Sequence, residues 1–220
     1  MVAWRYINDS TKGTERKENK DRVWVKENAE QVLAVLFDGI SSAKDANKGI
    51  DIAVRCLEES FSSIGISTVL RLSDLMFKIN RKIVESGLES PFTTYSAILI
   101  HKNSGKAQMS NMGDSRIYQV APQYLKQLSE DDNLLHNKNV VTKYLGMIDL
   151  DREEVTDFDF EIRDSRVLLC SDGFYSMLEK NLARFYEILT FKTTANIKKS
   201  LKKEVKGKNF DDSSYLLIFS

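Results

Sequence analysis

Twice in this chain an apolar run ends on Asp-Gly and gives way to helical spacing. VLAVLFDGISSA, residues 32–43, carries Asp38-Gly39 and is followed by Ala43, Ala46, Ile50, Ala53, Val54, Leu57 and Phe61 at intervals of three and four. RVLLCSDGFYSMLEKNLARFYEIL places Val167 to Cys170 before Asp172-Gly173, with Phe174, Met177, Leu178, Leu182, Phe185 and Leu189 following at the same spacing. Asp-Gly alone is a strong hairpin signal, because both residues tolerate the positive φ of a two-residue turn. A hairpin also needs a second alternating strand directly after the turn, and neither place has one. The grammar is strand, Asp-Gly, helix, and it predicts one helix through Phe174 and Leu189.

The other elements are read from the same signals. DRVWVKENAEQVLAVLFDG predicts two strands around a polar turn, and DIAVRCLEESF the first helix. Leu72, Leu75, Met76, Ile79, Ile83 and Val84 share one face of a second. TTYSAILIHKNSGKAQMSNMGDSRIYQVAPQYLKQLS predicts a meander of antiparallel neighbours, broken at Asn103-Ser104-Gly105, at Gly113-Asp114 and at Pro122. A charged, less regular segment covers about 129–165. A late helix carries Ile197, Leu201 and Val205, its lysines forming a solvated face, and SYLLIFS ends the chain as a strand. Strands and helices come in blocks, which predicts an α+β fold with antiparallel sheets. With no linker, low-complexity tract or repeat, residues 1–220 read as one domain.

Composition excludes several functions. Lysine plus arginine and aspartate plus glutamate both number 32, so net charge gives no reason to expect nucleic acid or an acidic membrane as partner. MVAWRYINDS has no apolar stretch of signal-peptide length, and no run approaches a membrane span, so a cytoplasmic protein is expected. Cys56 and Cys170 fall in apolar runs and read as small core residues. His101 and His136 add too few soft ligands for a zinc site. His101 is expected to end an exposed strand.

Three carboxylates stand beside apolar strands: Asp38, Asp172 and, in NFDDSSYLLIFS, Asp211. If those strands are neighbours, the side chains converge at one rim of a sheet. Two like charges about 4 Å apart repel by roughly 4 kcal/mol at an effective dielectric of about 20, so a bare cluster strains the fold. A divalent cation removes the strain. Carboxylate and carbonyl oxygens are hard ligands suited to Mg²⁺ or Mn²⁺, and two such ions can activate a water for in-line attack on phosphorus. The absence of a serine or cysteine nucleophile motif agrees with that chemistry.

ENKDR, LFDG, MGDSRIYQ, TKYLG, LLCSDGF and FDDSSYLLI, in this order over nearly the whole chain, resemble the metal-dependent protein serine/threonine phosphatases of the protein phosphatase 2C family, in a compact bacterial form. The resemblance implies a four-layer α-β-β-α sandwich of two antiparallel sheets flanked by helices. It implies a two-metal centre of Mg²⁺ or Mn²⁺, with a third ion in many members, and phosphoserine or phosphothreonine on proteins as substrate. By position it makes Asp38 the bridge between two metals, Gly39 a carbonyl ligand, and Asp172 and Asp211 the rest of the set. Asp21 is the residue that holds the metals' water, Asp114 a ligand of the third ion, and Arg16 the cation that grips the substrate phosphate. A monomer working opposite a cognate Ser/Thr kinase is the implied partnership.

The chain departs from the family pattern in several places. Ile40, Ser41 and Ser42 follow the first Asp-Gly where the family has His or Met and a Gly-Gly pair, and Ile40 donates no proton. Lys20 stands where an acid or glutamine is usual and is unfavourable near a metal unless it points away. Phe92-Thr93-Thr94 replaces Gly-Thr-Thr, Asp211-Asp212 replaces Asp-Asn, and the segment after TKYLG is short. Taken alone, Asp114 reads equally as a turn residue, and Arg16 as one charge among Lys12, Glu15, Lys17 and Glu18. Two rivals to an active phosphatase therefore stay open: a pseudophosphatase that binds a partner without turnover, motivated by Lys20 and Ile40, and a metal-binding structural domain whose Asp-Gly pairs are turns.

Overall fold

The most apolar runs become strands covered on both faces, and this sets the layering. In the computed structural model, which describes residues 4–63, 71–162 and 165–220, the chain opens with β1 (Arg5–Thr11), β2 (Asp21–Glu27) and β3 (Gln31–Gly39) and continues into helices α1 (Ala46–Ser63) and α2 (Leu72–Glu85). Then come β4 (Thr93–His101), β5 (Lys106–Met112), β6 (Arg116–Val120), β7 (Leu125–Gln127), the short β8 (Asn133–Leu134) and β9 (Asn137–Val141), and β10 (Phe158–Glu161). β11 (Arg166–Cys170), α3 (Asp172–Lys180), α4 (Leu182–Leu189), α5 (Thr194–Val205) and β12 (Ser213–Phe219) follow. Met1 to Ala3 of the N-terminal stretch lie outside the described residues.

One sheet runs β1-β12-β11-β6-β7 and the other β10-β5-β4-β3-β2, with every neighbouring pair antiparallel; β8 and β9 form a separate ribbon. The side-chain period of two then sorts each apolar run. Val32, Ala34 and Leu36 of β3 meet Val167 and Leu169 of β11 and Leu216 and Ile218 of β12 between the sheets. Leu33, Val35 and Phe37 turn the other way, onto Ile50 and Leu57 of α1 and Met76 and Ile79 of α2. Leu168, Tyr215 and Leu217 face Phe174, Phe185, Ile197 and Leu201 of α3, α4 and α5. The result is a four-layer α-β-β-α sandwich, the expected fold class. Each large apolar side chain buried in these layers contributes about 1.5–3 kcal/mol.

Two expectations are corrected, and one strand is added. The single helix through Phe174 and Leu189 is two helices broken at Asn181, whose φ of −141° and ψ of 56° are not helical. Its N–H closes α3 on Met177 O and Leu178 O while its carbonyl opens α4 by accepting from Phe185 N–H. The apolar spacing conceals the break because both pieces cover the same sheet face. The meander is not continuous either: Gly113-Asp114 carries the chain from β5 in one sheet to β6 in the other. Gly113 has φ +94°, and a Cβ there would stand 2.4 Å from Thr94 Cγ2, so the crossing needs glycine. Finally, β1 went unread, although it pairs with β12 from Arg5↔Phe219 to Thr11↔Ser213.

Other expectations hold. Cys56 and Cys170 are buried and free, and His101 ends β4 in solvent. Ile197, Leu201 and Val205 are the buried positions of α5. The charged segment 129–165 holds β8, β9, a 3-10 turn at Arg152–Glu154 and β10. No helix among the described residues is long and apolar enough to cross a membrane.

Leu36 lies fully buried between the sheets, whereas Leu135 is 95% exposed. Leu36→Ala should lower the unfolding free energy by about 2–5 kcal/mol, and Leu135→Ala should change it by about 0.5 kcal/mol or less. Urea unfolding of both variants checks the layering.

Candidate metal centre

The inward parity of β2 and β3 does not stop at the apolar core. Val23 and Val25 of β2 and Leu36 of β3 pack between the sheets; two residues before Val23 and two after Leu36 stand Asp21 and Asp38, direct partners across the strand pair. Asp172, two residues after the end of β11, is the first residue of α3. Asp211 precedes β12, and Asp114 lies in the crossing turn before β6. Asp38 stands near the end of a strand of the second sheet, whereas Asp172 and Asp211 flank neighbouring strands of the first; the carboxylates therefore converge from two facing sheets and not along the rim of one, and Asp21 and Asp114 join them at the same end of the inter-sheet layer.

The electrostatics record the convergence. Burial raises the Asp38 pKa well above the usual carboxylate range, and Asp21, Asp172, Asp114 and Asp211 each add to the rise. Asp172 is pushed up to about 7 by burial, then by Asp211 and Asp114. Asp21 is likewise pushed to about 7, chiefly by burial, opposed by the nearby hydroxyls of Ser214 and Ser171. Those hydroxyls have other partners: Ser171 Oγ accepts from Ser214 N–H at 2.9 Å, and Ser214 Oγ donates to Ser10 Oγ at 2.7 Å. Neither Asp21 oxygen has a hydrogen-bond partner, although both are buried. Burial also raises the Asp114 pKa, with Asp131 adding to the rise.

Asp211 is turned aside. Its carboxylate takes the Arg16 guanidinium on both oxygens, Nε on one and Nη2 on the other, and Oδ1 also accepts the Asp212 N–H at 2.7 Å. With Asp211 so oriented, no three His, Cys, Asp or Glu side chains among the described residues stand ready to hold one ion between them. The donor set still fits a divalent cation. It is all hard oxygen, it includes two buried oxygens without a donor, and its members each hold another's charge in check. Asp38, Asp172 and Asp211, with Asp21 behind them, are the groups that would hold it. A cleft of about 230 Å³ opens over Asp38 and Asp211, lined also by Arg16, Lys17, Lys20 and Ser41. Larger clefts, of about 540 Å³ and 450 Å³, lie away from these aspartates.

Several positioning contacts escaped the sequence. Asp212, noticed only as half of an Asp-Asp pair, staples the site: Oδ1 accepts from Gly13 N–H and Oδ2 from Lys20 N–H, both at 2.8 Å. An asparagine has one acceptor oxygen in place of these two. Gly173 is fixed by the same loop, since a Cβ there would stand 2.1 Å from Asp212 O. Lys20 accepts the Gly39 N–H at its carbonyl, at 3.0 Å. Its ammonium donates to Ser41 O and Ala43 O, each at 2.9 Å, so it ties down the loop after Gly39.

Arg116 joins the Asp114 turn to the Asp172 helix. It donates to Asp131 from Nη2 at 2.7 Å, reaches Glu179 of α3, and lies 3.7 Å from the Tyr175 ring centroid. Asp132 holds the turn itself, accepting the Gly113 N–H at 3.0 Å. A buried arginine with two acids in unrelated segments leaves no local sequence signal. The repulsion at the rim has a direct consequence. With divalent ions chelated, Asp38→Asn should melt a few degrees above wild type, since about 1 kcal/mol corresponds to roughly 2–4 °C for a chain of this size. A lower melting temperature in the thermal scan would contradict a mutually repelling cluster.

Comparison with known proteins agrees with this architecture. The family model described as "Protein phosphatase 2C" matches residues 13–206. The serine/threonine phosphatase stp of Listeria monocytogenes is 27% identical over 217 residues, covering 85% of this chain and 83% of that protein. Among solved structures, the serine/threonine phosphatase of S. agalactiae superposes with a TM-score of 0.83 at 21% identity, over 99% of each chain. The catalytic domain of the phosphatase PstP, in complex with two manganese ions, superposes with a TM-score of 0.73 at 21% identity, over 98% of this chain and 97% of that one. At those identities the likeness is one of fold.

Proposed function

The chain belongs to the protein phosphatase 2C family, and on that footing we propose that it hydrolyses phosphoserine and phosphothreonine on proteins, with a pair of Mg²⁺ or Mn²⁺ ions at the aspartate rim. The observation that carries this reading is the buried convergence of Asp21, Asp38 and Asp172, each raised in pKa by burial and by neighbouring aspartates of the site. Named relatives support it: stp of L. monocytogenes is called a serine/threonine phosphatase, and PstP holds two manganese ions. A phosphorylated protein is then the substrate, and a serine/threonine kinase the enzyme that makes it.

When bound, the ion pair supplies Lewis-acid activation of water and neutralises charge on the phosphoryl oxygens. The protein's part is to hold and aim. Asp38, the Gly39 carbonyl, Asp172 and Asp211 would hold the pair, and Asp114 would serve a third ion. Asp21, whose buried oxygens are unpartnered, would orient the water nucleophile and take up its proton.

Arg16 is the substrate's anchor. Its guanidinium fork now grips Asp211, and a phosphate dianion offers the same two-oxygen geometry. Exchange of carboxylate for phosphate seats the substrate in the cleft and frees Asp211 to turn toward the other aspartates. Lys20 does not oppose this, because its ammonium is held by the carbonyls of Ser41 and Ala43. Ile40 leaves the leaving-group oxygen to be protonated by water.

Hydrolysis of a phosphothreonine peptide with Mn²⁺ should fall by a factor of about 100 or more in Asp172→Asn while circular dichroism stays unchanged. Wild-type turnover in that variant would remove Asp172 from the site. Absence of turnover in folded wild type at every metal concentration would favour a binding module instead.

A further inference from the structure

At the end of the first sheet opposite the aspartates, cations gather. β1 begins at Arg5, β11 begins at Arg166 and β12 ends at Phe219, with Arg5 paired to Phe219. β12 is seven residues long, so this end lies roughly 20 Å from the Asp211 loop. Both guanidiniums sit over one ring, with Arg5 at 5.3 Å and Arg166 at 4.9 Å from the Phe219 centroid. A cleft of about 450 Å³ opens beside them, lined also by Lys192, Ser165, Thr190 and Pro122. That volume lies within the range of small-ligand sites.

Arg166 donates to Leu189 O and Phe191 O at the end of α4, which uses two of its five N–H groups and leaves three. The side chains of Arg5 and Lys192 make no hydrogen bond or ion pair among the described residues. No aspartate or glutamate lines the cleft among those residues; the one carboxylate there is that of Ser220, the last residue of the sequence. Burial and the neighbouring Arg5 charge together hold the Arg166 pKa below its ordinary value. Four other arginines, Arg22, Arg71, Arg152 and Arg184, each have a carboxylate partner.

We propose that this cleft binds a small phosphate-bearing anion, its oxygens taken by Arg5, Arg166 and Lys192 and any organic part lying against Pro122. Three cations against the one carboxylate of Ser220 leave an excess of positive charge that matches a dianion, and guanidinium forks match phosphate oxygens. The inference goes beyond the phosphatase reading and does not depend on it, because no residue of the cleft belongs to the aspartate rim.

The test is isothermal titration of the full chain with inorganic phosphate, pyrophosphate and ATP, in chelator so that no divalent ion offers the anion a second place. We expect saturable binding of pyrophosphate or ATP, weakened about ten-fold or more by Arg5→Gln and by Lys192→Gln. Both substitutions are on exposed side chains, and Asp38→Asn should leave the binding unchanged. Tighter binding of ATP than of pyrophosphate would assign a nucleotide, and equal binding a bare phosphate group; either supports the proposal. No saturable binding of any of the three anions overturns it, as does binding that survives Arg5→Gln with Lys192→Gln or is lost in Asp38→Asn. Equal affinity for succinate would overturn the phosphate assignment.

Discussion

Asp21 and Asp38 face each other across β2 and β3, in the layer where the next positions of the same parity, Val23, Val25, Leu36 and Ala34, are apolar. Two carboxylates so placed repel, and Asp172, Asp114 and Asp211 add to the repulsion. Among the described residues no buried lysine or arginine relieves this inside the cluster. Arg16 takes only Asp211, at the outer edge, while Lys20 turns its ammonium to loop carbonyls. Much of the local architecture serves to keep the repelling groups together: the Asp212 staple, the Gly173 contact with the Asp212 carbonyl, and Arg116 between the Asp114 turn and α3. A divalent cation is the partner that such a frame is built for.

The parts legible in the sequence were those in which a local pattern and a global requirement coincide. Asp38-Gly39 and Asp172-Gly173 stand out because an apolar strand and a helical period flank each of them, and the strands at their backs prove to be sheet interiors. The break at Asn181 was not legible, since both helices cover one sheet face and the apolar period runs through it. Nor was the crossing at Gly113, because a hairpin and a change of sheet demand the same turn residues. β1 escaped because its edge position leaves polar residues between its few apolar ones. Lys20 and Asp212 depend on partners about twenty and about two hundred residues away, and spacing carries no trace of such contacts.

A net charge of zero conceals a division of labour along the first sheet. Its β11 and β12 strands connect an acidic end, with Asp172 and Asp211, to a basic end, with Arg166 and Arg5 over Phe219. Antiparallel pairing permits this, since one end of the sheet collects strand starts and strand ends alike. The two ends suit opposite kinds of ion, cations at one and anions at the other.

The most direct test of the central claim is to count Mn²⁺ on the protein by equilibrium dialysis, comparing wild type with Asp38→Asn. The account predicts two saturably held ions per chain in wild type and no more than one in the variant, because Asp38 is the carboxylate common to both. Two ions retained by Asp38→Asn, or none held by folded wild type, would contradict it.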